Sequence, residues 1–166
     1  MPKITRINHV TLIVDQLEET ARFYEEELGM EPIPAFVFDY PTAFFRINDE
    51  QQLHLTEWED AKSFRGHVCL EVDDFNGLFH RAKALEIIDV RPWGKVRQLP
   101  DGAMQLFLRD PSDNLVEITS PPSYRDQVDP AIFSDELYAP GLYVSGREDF
   151  RGYKAENATL YHGPEA

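Results

Sequence analysis

The sequence predicts an α+β fold built from two tandem strand–helix–three-strand units. Three observations carry this: a recurring heptapeptide, a second pair of matched segments later in each half, and hydrophobic spacing that alternates between strand and helix periods. His9-Val10-Thr11-Leu12-Ile13-Val14-Asp15 aligns with His67-Val68-Cys69-Leu70-Glu71-Val72-Asp73 at an offset of 58, with five of seven positions identical. Phe44-Phe45-Arg46 through His54-Leu55-Thr56 aligns with Phe107-Leu108-Arg109 through Glu117-Ile118-Thr119 at an offset of 63. Two matches in the same order at nearly equal offsets indicate duplicated architecture.

In the first half, period-two alternation predicts a strand over residues 4–14. Asp15 is then a candidate N-cap with Glu18 reaching back, followed by a helix over 17–28 with Leu17, Ala21, Tyr24 and Leu28 as its apolar stripe. Gly29 is a natural stop, since glycine takes the left-handed conformation that ends helices. Strands are expected over 33–38, 42–48 and 52–58, and the loop Glu59 to Gly66 joins the halves. The second half repeats the pattern with strands over 66–72, 89–98, 102–109 and 114–120. Its helix, over 75–86, should bury Phe75, Leu78, Phe79, Ala82 and Leu85. Asp110-Pro111-Ser112-Asp113-Asn114 reads as a turn.

Modules of about 4–58 and 66–120 thus make one domain over 1–122, with an extension over 123–166. The extension shows no helix or strand periodicity, yet holds Tyr124, Phe133, Tyr138, Tyr143, Phe150, Tyr153 and Tyr161. So many aromatics predict docking, on the domain or on a partner subunit, rather than a solvated tail.

Composition narrows the function. The 166 residues are 42% hydrophobic, enough to fold around a core. Thirty acidic against 16 basic residues give a net charge of -14, which argues against nucleic acid as a partner. A small-molecule substrate is compatible with that charge, since one local Arg can capture an anion inside an acidic protein. No apolar run approaches the ~20 residues that span a bilayer, so no membrane partner is expected. Cys69 is the single cysteine, so no internal disulfide forms, and the start MPKITRINHV lacks a signal peptide's features. A cytoplasmic location is the expectation.

Strand alternation then gathers the polar residues on one kind of face. His9, His54, His67 and Glu117 fall opposite to Leu53, Leu55, Val68, Leu70, Val116 and Ile118, whose faces should meet the helices. Two imidazoles and a carboxylate suit one divalent ion, Zn, Fe(II), Mn, Ni or Co. Three protein ligands leave positions open for substrate, as catalytic sites require. The metal ligands are therefore expected to be His9, His67 and Glu117, with His54 at the fourth corner as ligand or base. His54 and Glu117 are the candidate catalytic residues.

INHVTLIV with LEETARFYEEELGM, then QLHLTE, GHVCLEV and LRDPSDNLVEIT, resembles the vicinal oxygen chelate superfamily of glyoxalases, bleomycin-resistance proteins and extradiol dioxygenases. The resemblance spans residues 4–120. It implies paired βαβββ modules forming a partly closed mixed sheet around a metal cleft, and it suggests a homodimer. His9, His67 and Glu117 match the family's ligands. His54 stands where glyoxalase-like members often carry Glu or Gln, and Asp113 where many carry Gly; Asp tolerates the left-handed backbone that such a turn needs.

Three functions follow from the resemblance. A glyoxalase-like lyase, isomerase or epimerase would chelate two neighbouring oxygens of its substrate and stabilise an enolate or enediolate, with His54 moving a proton. An extradiol-type dioxygenase would hold Fe(II) on the same three ligands. A resistance protein would bind a small molecule without chemistry; retention of the ligands speaks against it.

Other polar residues take plainer readings. Arg46 and Arg109 are repeat-equivalent, and solvated strand ends fit them better than anion binding. Phe44 and Phe107 read as core, Cys69 as a small packing residue beside the cleft, and His80 and His162 as non-ligands. Trp58 and Trp93 suit module edges or pocket walls.

Overall fold

Alternation on the first strand sets up the first sheet. In the computed structural model, which describes residues 8–35, 40–59, 66–91 and 94–140, β1 (His9–Val14) buries Leu12 and Val14 and exposes His9, Thr11 and Ile13. Packing divides the chain into two compact units, residues 1–68 with 109–115 and residues 69–108 with 116–166.

In the first unit, β1 is followed by α1 (Leu17–Arg22), β2 (Glu31–Ile33), β3 (Thr42–Arg46) and β4 (Gln52–Glu57), with sheet order β1-β4-β3-β2. β1 runs parallel to β4, and β3 is antiparallel to both β4 and β2. Leu53, Leu55 and Phe45 are buried, and α1 packs on β3 and β4. β2 is shorter than expected, because Pro32 and Pro34 lack the N–H that a longer ladder needs. Residues 36–39, over which that strand is expected to continue, and residues 4–7 of the first strand lie outside the described residues.

The first helix departs from its expected form at both ends. Gln16 is the N-cap and offers no side-chain bond; Leu17 N–H donates instead to Glu57 Oε2 at 2.8 Å. Asp15 does not cap; its carboxylate accepts from the Ser112 hydroxyl at 2.9 Å. Past Arg22 the helix widens into a π turn over Phe23–Glu27, with Leu28 N–H bonded to Phe23 O five residues back. The extra residue rotates the buried face. Thr20, Phe23 and Tyr24 enter the core, while Leu17, Ala21 and Leu28 are only half-buried. Gly29 ends the element at φ 67°, as a left-handed stop.

The turn 110–114 packs within this same unit. Asp113 holds φ 63°, and Asp110 accepts from Asn114 N–H at 2.8 Å. Asn114 Nδ2 donates to Ile13 O at 3.2 Å, and the Ser112 and Thr20 hydroxyls lie 2.8 Å apart. Buried polar groups are thereby paired, as burial demands.

The second sheet has β5 (Val68–Glu71), β6 (Arg97–Gln98), β7 (Met104–Arg109) and β8 (Leu115–Thr119) in the order β5-β8-β7-β6, the order of the first sheet. Its helix α2 (Phe75–Ala84) starts at Asp74, whose side chain accepts from Gly77 N–H at 2.9 Å. Phe75, Phe79 and Ala82 are buried; Leu78 is half-buried, and Leu85, the C-cap, is exposed. The strand expected over 89–98 contracts to two residues. Ile88 makes a lone bridge to Leu108, and Val96 pairs instead with Tyr138.

The stretch after Pro121 is not irregular throughout. A 3-10 segment (Pro122–Gln127) and a short α3 (Pro130–Phe133) bury Tyr124, Val128 and Ile132. Asn76 on α2 donates to Gln127 O at 2.8 Å and accepts from Asp129 N–H at 2.9 Å, and Lys83 pairs with Asp135. Elements of one or two turns are too short to show periodicity. The aromatics Tyr143, Phe150, Tyr153 and Tyr161, with His162 and Trp93, lie outside the described residues. Among the described residues no helix is long and apolar enough to cross a membrane.

Candidate metal centre

Register places the first imidazoles. On β1, His9 lies opposite Gln52 of β4; one pair further, Thr11 lies opposite His54, which itself lies opposite Phe44 of β3. The three rings form one stack. Phe44 and His54 have centroids 3.6 Å apart with planes 4° from parallel, and His54 and His9 follow at 4.4 Å and 14°. Such parallel packing lets aromatic faces cover one another.

Hydrogen bonds fix the tautomers. His9 Nδ1 lies 3.0 Å from Asn8 Oδ1, and His54 Nε2 lies 2.9 Å from Gln52 Oε1. A carbonyl oxygen only accepts, so each of these ring nitrogens carries the hydrogen. With the amides so placed, the lone pair of His9 is on Nε2, and that of His54 is on Nδ1. His54 is half-buried, and its pKa is lowered by desolvation first and by the neighbouring His9 second. Both influences favour the neutral imidazole, the form that binds a metal or accepts a proton.

Glu117 sits on β8, where all five residues are buried. A buried carboxylate is costly unless its oxygens are paired. Gln105 of β7 donates from Nε2 to Glu117 Oε1 at 2.7 Å, and the Cys69 thiol of β5 also hydrogen-bonds this carboxylate. Although Cys69 retains solvent exposure, the protein around its sulfur, then Glu117 and Glu71, push the thiol up to about 12. It is a protonated donor, not a reactive thiolate. Its bond to Glu117 is more than the packing role expected of it, and the sequence reading does not single out Gln105. Only its place two residues before Phe107, on the polar face of a strand paired in the duplication, hints at it.

His67 is exposed immediately before β5, the sheet position that His9 holds at the start of β1. Among the described residues, no three His, Cys, Asp or Glu side chains form a ready-made cluster; His9 associates with His54, and Glu117 with Cys69. The donors themselves fit a divalent ion: neutral imidazoles, one with Nε2 left for ligation, and a buried carboxylate oriented by an amide.

The remaining polar residues are accounted for elsewhere. Arg46 is exposed and pairs with Asp49 and Glu31, while Arg109 donates to Asp113 O at 2.7 Å. Phe107 is core. His80 pairs with Asp129 at 2.9 Å, and Trp58 is exposed, edge-on to Tyr40.

Comparison with known proteins agrees with this architecture. The family model of the Glyoxalase/Bleomycin resistance protein/Dioxygenase superfamily matches residues 6–118. A probable lactoylglutathione lyase of Vibrio parahaemolyticus is 29% identical over 126 residues, covering 68% of this chain and 88% of that protein. The crystal structure of lactoylglutathione lyase from Agrobacterium tumefaciens superposes with a TM-score of 0.58 at 23% identity, covering 74% of this chain and 98% of that one. The fosfomycin resistance protein FosX of Listeria monocytogenes, in a mutant form complexed with Mn(II) and 1S,2S-dihydroxypropylphosphonic acid, gives a TM-score of 0.58 at 19% identity, covering 71% and 93%. With two sheets of one strand order, a helix on each half, and a family match over more than half its length, the chain belongs to the glyoxalase/bleomycin resistance protein/dioxygenase superfamily.

Proposed function

We propose that the chain is a metal-dependent glyoxalase-like enzyme, a lyase, isomerase or epimerase, acting on a small molecule with two neighbouring oxygens. The observation that carries the reading is the donor set at equivalent places of two like-ordered sheets: His9 beginning β1, His67 preceding β5, and Glu117 buried on β8. The proposed ligands are His9, His67 and Glu117, for Fe, Zn, Ni, Mn or Co. A bound ion of this kind polarises the substrate oxygens and stabilises an enolate or enediolate as it forms.

The side chains do the rest. His54, neutral and half-buried, accepts the proton from the carbon beside the carbonyl and returns it to the neighbouring atom. Gln105 and Cys69 hold the Glu117 carboxylate in one orientation and stabilise its charge. The relatives named lactoylglutathione lyase support a hemithioacetal as the first substrate to try.

The test is metal analysis of the purified protein, followed by solvent-proton exchange with hemithioacetals and acyl-thioesters. Stoichiometric metal, and exchange that disappears in His54→Ala, are expected. Exchange absent from fully metal-loaded protein sinks the lyase reading. Metal content near zero after growth in supplemented medium favours the non-enzymatic binding protein. A homodimer in the cytoplasm completes the proposal, with light scattering as the check on its oligomeric state.

One observation favours a second reading. Stacking occupies His54 away from any shared ligand plane, which leaves two imidazoles and one carboxylate, the triad of non-haem iron oxygenases. An extradiol-type dioxygenase would consume oxygen with catechols after anaerobic Fe(II) loading, and no uptake removes it.

A further inference from the structure

A histidine binds a metal through the lone pair of a ring nitrogen, so the ion lies in the plane of that ring, about 2 Å beyond the nitrogen. Two imidazoles that share an ion must therefore have planes that meet at it. The planes of His9 and His54 are only 14° from parallel, and their centroids are 4.4 Å apart. Five-membered rings whose centroids are this close face each other rather than lying side by side. Planes so nearly parallel meet far beyond the ~2 Å reach of a metal–nitrogen bond. One ion cannot be taken in-plane by both rings.

The stack also shows which ring is held. Phe44 closes the far face of His54 at 3.6 Å, with planes 4° apart, so His54 is sandwiched while His9 has its outer face beyond the stack. Gln52 fixes the rotation of the sandwiched ring through its Nε2, and the strand register sets Phe44 directly opposite His54. Asn8 engages Nδ1 of His9, which leaves Nε2 of that residue for ligation.

We propose that Phe44 is a positioning residue that clamps His54 against His9, so that the ion of the metal centre is taken by three protein ligands and His54 stays off it. The inference rests on the reading of His9, His67 and Glu117 as ligands. It assigns the fourth corner: His54 is a proton carrier beside the metal, and Phe44 keeps it one.

The experiment compares wild type, His9→Ala, His54→Ala, Phe44→Leu and the Phe44→Leu/His54→Ala double variant, all as full chains. Co(II) is titrated into metal-free protein and followed by visible absorption, and the His54 ring protons are followed by NMR before metal is added. His54→Ala should keep Co(II) affinity within about twofold and leave the spectrum unchanged, against the ~10–100-fold that even an outer partner of a metal ligand is worth. Phe44→Leu should abolish the upfield ring-current shift of His54. It should also tighten Co(II) binding and alter the band, an effect lost in the double variant. A tenfold or greater loss of affinity with a changed band in His54→Ala overturns the proposal, as does a His54 ring without an upfield shift in wild type. Should Phe44→Leu not fold, the His54→Ala titration and the wild-type ring shift decide alone. Wild type that takes no Co(II), or His9→Ala that binds as well as wild type, brings down the underlying metal reading instead.

Discussion

The Tyr24 hydroxyl donates to Asp110 Oδ2 at 3.1 Å, joining residues 86 apart in sequence. Both groups are buried, and Asp110 also accepts from Asn114 through its backbone N–H and its amide. The bond ties the π turn after α1 to the turn 110–114 inside the first unit. Tyr24→Phe keeps the ring and removes the donor. The expected cost is about 1.5–3 kcal/mol, that of a hydrogen bond to a charged group. Urea unfolding of the variant measures it, and a loss below the error of the fit would show that the bond adds nothing.

Burial raises the Asp110 pKa above the usual carboxylate value, while bonds from Asn114 and Tyr24 pull it down. Ionising Asp110 is therefore harder in the folded protein than in the unfolded chain. Its stabilising contribution is fully present below the unfolded pKa, about 3.9, and is lost as pH rises through the higher folded value. Tyr24→Phe removes one of the lowering bonds, so the folded pKa should move up further. A carboxyl-carbon NMR titration follows Asp110 directly, and a downward shift in the variant would contradict this assignment of causes.

Glu117 has a different support. Gln105→Leu strips the amide from a buried carboxylate, at a cost of about 1–3 kcal/mol in stability. On the proposed metal reading it also lowers metal affinity by about 10–100-fold. Competition with a chelating dye gives the second number. Affinity equal to wild type, in a variant that is measurably less stable, would leave Gln105 a structural residue only.

Cys69 should be slow towards thiol reagents despite its exposure. With the thiol pushed up to about 12, roughly one molecule in ten thousand is ionised at pH 8, and the thiolate is the reactive form. The rate of modification by an aromatic disulfide reagent should climb about tenfold per pH unit through the alkaline range. Denaturation should restore the rate of an ordinary thiol. Rapid labelling of native protein at pH 8 would sink the assignment.

Much of this is legible in sequence because strand alternation is a strong signal. It places His9 and Thr11 opposite Leu12 and Val14, and His54 between Leu53 and Leu55, as the sheets have them. The duplicated heptapeptide foretells two sheets of one order. The helix stripe fails for a physical reason. A π turn inserts one residue and rotates everything after it, and no residue type announces it; Leu17, Ala21 and Leu28 lose the core to Thr20 and Phe23. Helix capping by Glu57, from a strand 40 residues away, is likewise invisible to a local reading. The ring stack depends on β3–β4 register, which alternation leaves open to slips of two, so sequence assigns Phe44 to the core alone.

The extension offers the last prediction. Ile132 of α3 is fully buried, and Val128 and Tyr124 nearly so, over a stretch bound to α2 through Asn76 and Lys83. Apolar side chains this deep make the segment part of the second unit's core rather than an appendage. Ile132→Ala should cost about 2–5 kcal/mol, the range for emptying a packed aliphatic site. Asn76→Ala loses two backbone partners at once and should cost about 1–3 kcal/mol. Truncation after residue 122 removes both sets of contacts, so it should lower the melting temperature and raise binding of a hydrophobic dye. A truncated chain with the melting temperature, oligomeric state and ligand affinity of the full protein would show that the docked segment contributes nothing to the fold.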